Sequence, residues 1–355
     1  MGAGHAHAIV LERWAKGERP DAEIVVVNTR ETTLYSGMIP GWIAGEYRRS
    51  ELELDARVMA ERAGASLVIG RVTRVDTGER VVILDDGARM TYDLASLDVG
   101  SQIGDPSALS GRSNATARDP GRIIEAISSG PDRSVVVVGG GAAGVELAAC
   151  IKARVGGSVT LMESGDRLMR SHDPSVSDRI QAALEARSVS VRLGTSVGNA
   201  RDDEEARGDG EARGDVPLTI WATGARGPTL LAESQLPLDD EGFVRVDDTQ
   251  RVMGLADLFA AGDCASRTTD PAPKAGFHAI EQGEALAANL AASVAAWPDQ
   301  ASDLERYEPR SDFLTLLNLG DGRALGTKWG LAVEGRWVRT LKDFIDRRFV
   351  SRFRR

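Results

Sequence analysis

Three glycines, Gly139, Gly141 and Gly144, stand at G-x-G-x-x-G spacing directly after the run Val135-Val136-Val137-Val138. Glycines in this pattern bind a pyrophosphate through backbone rather than side-chain chemistry. The first permits a tight turn, the second lets the backbone approach the phosphates, and the third lets a helix pack close to the strand. The free N–H groups and positive dipole end of that helix then hold the anion. Ser158-Val159-Thr160-Leu161-Met162-Glu163 reads as a second strand ending in a carboxylate placed to grip ribose hydroxyls. The expectation is a dinucleotide site. Glu163 favours NADH over NADPH, because a 2′-phosphate would meet a like charge.

Gly2-Ala3-Gly4-His5-Ala6-His7 has the same grammar, with His7 in place of the third glycine. Ile24-Val25-Val26-Val27 is its second strand and ends on Asn28, which bonds a ribose hydroxyl without the help of a charge. This fold places a strand in the middle of its sheet immediately before the turn. Here only Met1 precedes Gly2, so a natural start upstream is expected, a point the codons before Met1 would test. A His5/His7 metal tail lacks a third ligand at useful spacing, so no metal is assigned.

Further segments must position these turns. Thr219-Ile220-Trp221-Ala222-Thr223-Gly224 and Leu258-Phe259-Ala260-Ala261-Gly262-Asp263 each read as a strand running into a small-residue turn. A chain of 355 residues can bury a substantial core, and its net charge of −10 argues against a general nucleic-acid binder. Cys150 and Cys264, the only cysteines, lie too far apart in sequence to suggest a disulfide framework. No run approaches the roughly 18 apolar residues that span a bilayer. A cytoplasmic location is the simplest expectation, with peripheral attachment to the inner face of the cell membrane left open by the C-terminus.

These motifs, with Tyr35-Ser36-Gly37-Met38-Ile39-Pro40-Gly41, Leu97-Asp98-Val99-Gly100-Ser101 and Leu317-Asn318-Leu319-Gly320-Asp321-Gly322-Arg323-Ala324, resemble the FAD-dependent pyridine nucleotide-disulfide oxidoreductase superfamily. The resemblance is to the branch associated with selenide, water dikinase and similar to type II NADH dehydrogenases. It implies an α/β fold of two Rossmann-like, three-layer dinucleotide-binding domains. The FAD domain would comprise residues 1–125 and 230–310, the NAD(P) domain 126–229 would be inserted in it, and 311–355 would form a C-terminal segment.

On the same resemblance, Gly2, Gly4, His7, Asn28, Gly100, Gly262 and Asp263 hold FAD, while Gly139, Gly141, Gly144, Glu163 and Gly224 hold NADH. The activity implied is electron transfer from NAD(P)H through FAD to a quinone or another small acceptor. A selenide, water dikinase partner and a homodimer are both compatible with it. Glu146 resembles a carboxylate near the nicotinamide and flavin, and reads equally as a partner of the helix dipole. Lys274 is a candidate for positive charge at the flavin N1 side, or a solvated loop lysine.

The chain departs from the superfamily in having no cysteine pair beside the flavin, which excludes a disulfide relay. Pro273–Gly283 carries Phe277 and Glu281 where quinone-contacting glutamines are expected. Two other readings stay open: a flavin-poor, NAD-binding sensor or partner in selenium metabolism, and an enzyme of sulfide or selenide using Cys264. Residues 201–215, with the tandem Glu-Ala-Arg-Gly-Asp, read as a solvated loop without apolar periodicity. In 335–355 the apolar positions 337, 338, 341, 344, 345 and 349 are expected on one face of a basic amphipathic helix suited to anionic lipid.

Overall fold

The computed structural model describes residues 1–103, 114–130, 132–195, 217–270 and 273–354. The strands that carry the glycine turns are, in chain order, β1 (Val25–Asn28), β2 (Ser66–Ile69), β3 (Ala95–Leu97), β4 (Asn114–Thr116), β5 (Val135–Val138), β6 (Val159–Met162), β7 (Val189–Arg192), β8 (Leu218–Trp221) and β9 (Leu258–Ala260). One sheet is five-stranded and wholly parallel, in the order β4-β8-β5-β6-β7. All four valines of β5 are buried between β6 and β8. A continuous β-branched run suits a central strand covered on both faces. β4 joins this sheet although it lies before residue 126, because Asn114–Thr116 pairs in register with Thr219–Trp221. The acidic tandem of residues 201–215 lies outside the described residues.

The other nucleotide unit is built from two parallel ribbons, β1 with β2 and β3 with β9. Met1 and Gly2 lie between them. The Gly2 N–H donates to the Val27 carbonyl at 2.8 Å, and the Met1 carbonyl accepts from the Asp98 N–H at 2.9 Å. The Met1 ammonium donates to the Ser96 carbonyl at 2.7 Å. Helix α1 (His5–Arg13) leaves the first glycine turn, α2 (Ala142–Lys152) leaves the second, and α3 (Gly276–Ala296) crosses α1 closely. A Cβ on Gly283 of α3 would lie 2.5 Å from the Ala6 carbonyl oxygen.

The C-terminal segment pairs β10 (Thr315–Asn318), β11 (Ala324–Lys328) and β12 (Leu331–Gly335) as an antiparallel meander, followed by α4 (Arg336–Ser351). The helix is present where the sequence expects it, but its apolar residues do not share one face. Val338, Phe349 and Val350 are buried, together with Lys342 and Asp346. Trp337, Phe344 and Ile345 face outward. Apolar spacing misplaces the stripe because an ion pair occupies two of its inward positions. Phe349 stacks on Tyr35 with centroids 4.6 Å apart, and Phe353, just past the helix, is 1% exposed in the core beside α1. Phe353→Ala is expected to lower unfolding free energy by about 3–5 kcal/mol in urea melts.

Candidate functional site

The second glycine turn has the geometry its sequence calls for. Gly139 sits at φ 115°, and a Cβ on Gly144 would lie 1.8 Å from the Gly139 carbonyl oxygen, so helix and turn touch backbone to backbone. Around Gly141 and Gly224 there is open space where a Cβ would otherwise stand. That space, in front of an α2 N-terminus with no side chain capping it, is a cradle for a phosphate. At the end of β6 the Glu163 carboxylate accepts from the Gly140 N–H at 2.6 Å and the Gly165 N–H at 2.8 Å, with Arg170 at 3.5 Å. Burial opposes its charge, but these donors outweigh it and hold the carboxyl below its ordinary range.

The first turn mirrors this with changed chemistry. Asn28, ending β1, accepts from the Ala3 N–H at 3.2 Å, as Glu163 does from Gly140. His7, where the third glycine would stand, bonds the Gly2 carbonyl through Nδ1 at 2.7 Å and the Ser96 hydroxyl through Nε2 at 2.8 Å. Burial pushes its pKa down to about 3, so the ring is neutral. Gly100 has φ 71° and open space beside it. The Gly262 N–H donates to the Gln282 amide oxygen at 2.6 Å, and Asp263 is held by Ser101 at 3.4 Å and Arg118 at 3.3 Å. Asp98 lies between Gly4 and Gly262 and accepts from the His7 N–H at 2.9 Å.

The two candidate catalytic residues have separate surroundings. The Glu146 carboxylate, on α2, accepts from the Asn318 N–H at 2.7 Å and lies 3.9 Å from the Lys342 ammonium. Burial raises its pKa against that ammonium. Lys342 also bonds Asp346 at 3.1 Å and the Gly37 carbonyl at 2.9 Å, and Asp346 accepts from the Tyr35 hydroxyl at 3.1 Å. Burial works against the Lys342 charge, but the two carboxylates outweigh it and hold the ammonium above its ordinary range. Tyr35, Lys342 and Asp346 were not singled out from sequence: Tyr35 lies in the Tyr35-Ser36-Gly37 motif of the resemblance, while Lys342 and Asp346 lie in the C-terminal helix read as amphipathic. Lys274 is no solvated loop lysine: its ammonium bonds the Ala265 carbonyl and lies 4.0 Å from the Phe243 ring centroid. Phe277 stacks on Phe313 at 5.0 Å.

Both thiols are buried, and Cys264 is pushed up to about 12 by burial, which makes it a structural thiol rather than a nucleophile. Two parallel-sheet units, each with a glycine turn feeding a helix and neither with a reactive thiol, define a two-nucleotide oxidoreductase. The chain belongs to the pyridine nucleotide-disulphide oxidoreductase family, whose profile matches residues 1–283. It is 24% identical over 314 residues to a demethylphylloquinone reductase of Synechocystis, covering 83% of this chain and 77% of that protein. Its fold is that of the Plasmodium falciparum NDH2 solved with NADH (TM-score 0.80, 13% identity, 99% and 95% of the two chains). It also matches the sulfide:quinone oxidoreductase of Aquifex aeolicus (TM-score 0.79, 14% identity, 99% and 90%).

The family implies a flavin and a pyridine nucleotide; the open space at Gly141 and Gly224 fits one such ligand, while in the first seat Gly100 is open and the Asp98 carboxylate stands against Gly4. Gly141→Ala fills the second cradle without meeting protein. It should leave the melting curve unchanged and raise the NADH KM on the order of tenfold.

Proposed function

We propose that the chain oxidises NADH through a bound FAD and delivers the electrons to a quinone or another small acceptor. The observation that carries this reading is a pair of glycine-turn seats with no accessible thiol to relay electrons. A bound flavin supplies hydride acceptance from the nicotinamide and release of the electrons to an acceptor. The protein's part is to align the two nucleotides and manage protons.

Gly139, Gly141, Gly144 and Gly224 would seat the pyridine nucleotide, with Glu163 on its ribose. A buried carboxylate there supports NADH over NADPH. Gly2, Gly4, Asn28, Gly100, Gly262 and Asp263 would seat the flavin, with His7 bracing the turn. Glu146, kept prone to protonation by burial and wired through Lys342 to Asp346 and Tyr35, is the group assigned to hold or move a proton. Lys274 would bring positive charge to the flavin side; burial pulls its pKa below the ordinary range, opposed by Cys264 and Asp263. The relative named a demethylphylloquinone reductase supports a quinone acceptor.

No described helix is long and apolar enough to cross a membrane. Instead, the outward strip of Trp337, Phe344 and Ile345, beside exposed Arg336 and Arg348, supports contact with an anionic lipid surface. Because α4 also carries core residues, point changes test this better than truncation. Trp337→Ser with Phe344→Ser should abolish co-sedimentation with phosphatidylglycerol vesicles while leaving the melting curve intact, and undiminished sedimentation would refute the contact.

The central test is anaerobic addition of NADH to the purified protein. Bleaching of stoichiometric flavin absorbance is expected, and Cys264→Ser should bleach at an undiminished rate. A folded protein that binds NADH but shows no flavin reduction after FAD is supplied would overturn the reading.

A further inference from the structure

The two nucleotide seats differ at one internally equivalent position. Ala222 follows β8, two residues before Gly224, and its carbonyl oxygen lies 2.5 Å from where a Gly139 Cβ would stand. Asp98 follows β3, two residues before Gly100, and its carbonyl oxygen lies 2.2 Å from where a Gly2 Cβ would stand. The NAD seat therefore has a methyl group where the flavin seat has a carboxylate.

That carboxylate is 4% exposed, and its position is specific. Oδ2 accepts from the His7 N–H in the first turn of α1 at 2.9 Å, and the Ala6 N–H is also directed at the group. Oδ1 lies 2.4 Å from the place of a Gly4 Cβ and 2.3 Å from that of a Gly262 Cβ. Gly4 and Gly262 are the residues through which the flavin's pyrophosphate is expected to approach the backbone. Asp98 thus puts a negative group against the same N–H donors that a pyrophosphate uses.

We infer that Asp98 is an internal anion that competes with the pyrophosphate of FAD for the N-terminus of α1, making the flavin dissociable. The inference rests on the flavin reading above and deepens it. Binding must either displace the carboxylate from the α1 amides or place two anions side by side. Protonation of Asp98 relieves both. Burial already pushes its pKa up to about 6, aided by the charge of Asp263 and opposed by the α1 amides and the Met1 ammonium. The other titratable groups around it are the neutral His7 and the buried His5 on α1, and Cys264 after β9. The Met1 amine itself is lowered to about 6 by burial and gains charge over the same range.

The test is the FAD dissociation constant of the full chain freed of flavin, read by quenching of flavin fluorescence at about pH 8 and about pH 5.5. Asp98→Asn keeps an acceptor for the His7 N–H and removes the charge. At the higher pH it should bind FAD on the order of tenfold more tightly than the unaltered protein. The unaltered protein should gain affinity on acidification, whereas Asp98→Asn should gain much less, the remainder belonging to the Met1 amine. Equal or weaker binding by folded Asp98→Asn at the higher pH would overturn the inference while leaving the flavin reading in place. FAD binding by neither protein at either pH would overturn both. Should Asp98→Asn fail to fold, Asp98→Ser is measured in the same way, with the same outcomes decisive.

Discussion

The first nucleotide unit depends on a contact between two backbones. Helix α3 reaches α1 at Gly283, where no side chain separates it from the Ala6 carbonyl. On the sheet side of α1, Met1 and Gly2 bridge the ribbons β1–β2 and β3–β9. Helix α1, pressed beneath α3, covers these ribbons and shares one buried cluster with Val26 and Phe259. Ala6, Ala8 and Ile9 are completely buried there with Leu286. Small residues matter at such a crossing because close approach gives dispersion contacts that longer side chains would hold apart. The glycine turn that would bind the flavin is the entrance to this same helix. Its geometry is therefore inherited from the packing behind it.

The two units repeat one plan with different finishing. In each, a side chain at the end of the second strand accepts from the middle residue of the glycine turn, Asn28 in one and Glu163 in the other. In the second unit the third glycine is sterically compulsory, since the Gly139 carbonyl leaves no room for a Cβ. In the first unit His7 takes that place and uses its ring as a brace between Gly2 and Ser96. Charge is distributed oppositely as well. The second unit keeps its carboxylate at the end of its second strand and leaves its helix terminus uncapped, whereas the first has a neutral amide at the end of that strand and a carboxylate at the helix terminus.

Much of this was legible because the signals are local. Four valines followed by spaced glycines fix a strand, a turn and a helix within 14 residues, and the family resemblance assigned Gly262-Asp263 to the flavin side with Gly2 and Gly4. The buried cluster of Tyr35, Glu146, Lys342 and Asp346 was not legible, because its members are up to 311 positions apart and joined only by the fold. The orientation of α4 was misread for the same reason. Periodicity counts apolar residues, and a lysine and an aspartate that neutralise each other inside look like a solvent face. Asp98 stands inside a sequence motif, yet its significance emerges only against Ala222 and from what stands before the α1 amides.

Helix α4 has two occupations. Its inner face grips Tyr35, Glu146 and the Gly37 carbonyl, and less than one turn away its outer face presents Trp337, Phe344 and Ile345 to the surroundings. A rigid rod held this way behaves as a lever. Lys342 and Asp346 ride on the same backbone as the outer side chains. The distance from the Lys342 ammonium to Glu146, already 3.9 Å, is a gap that small rotations can open or shut. One helix thus joins the exposed apolar strip to the ammonium that balances the Glu146 carboxylate.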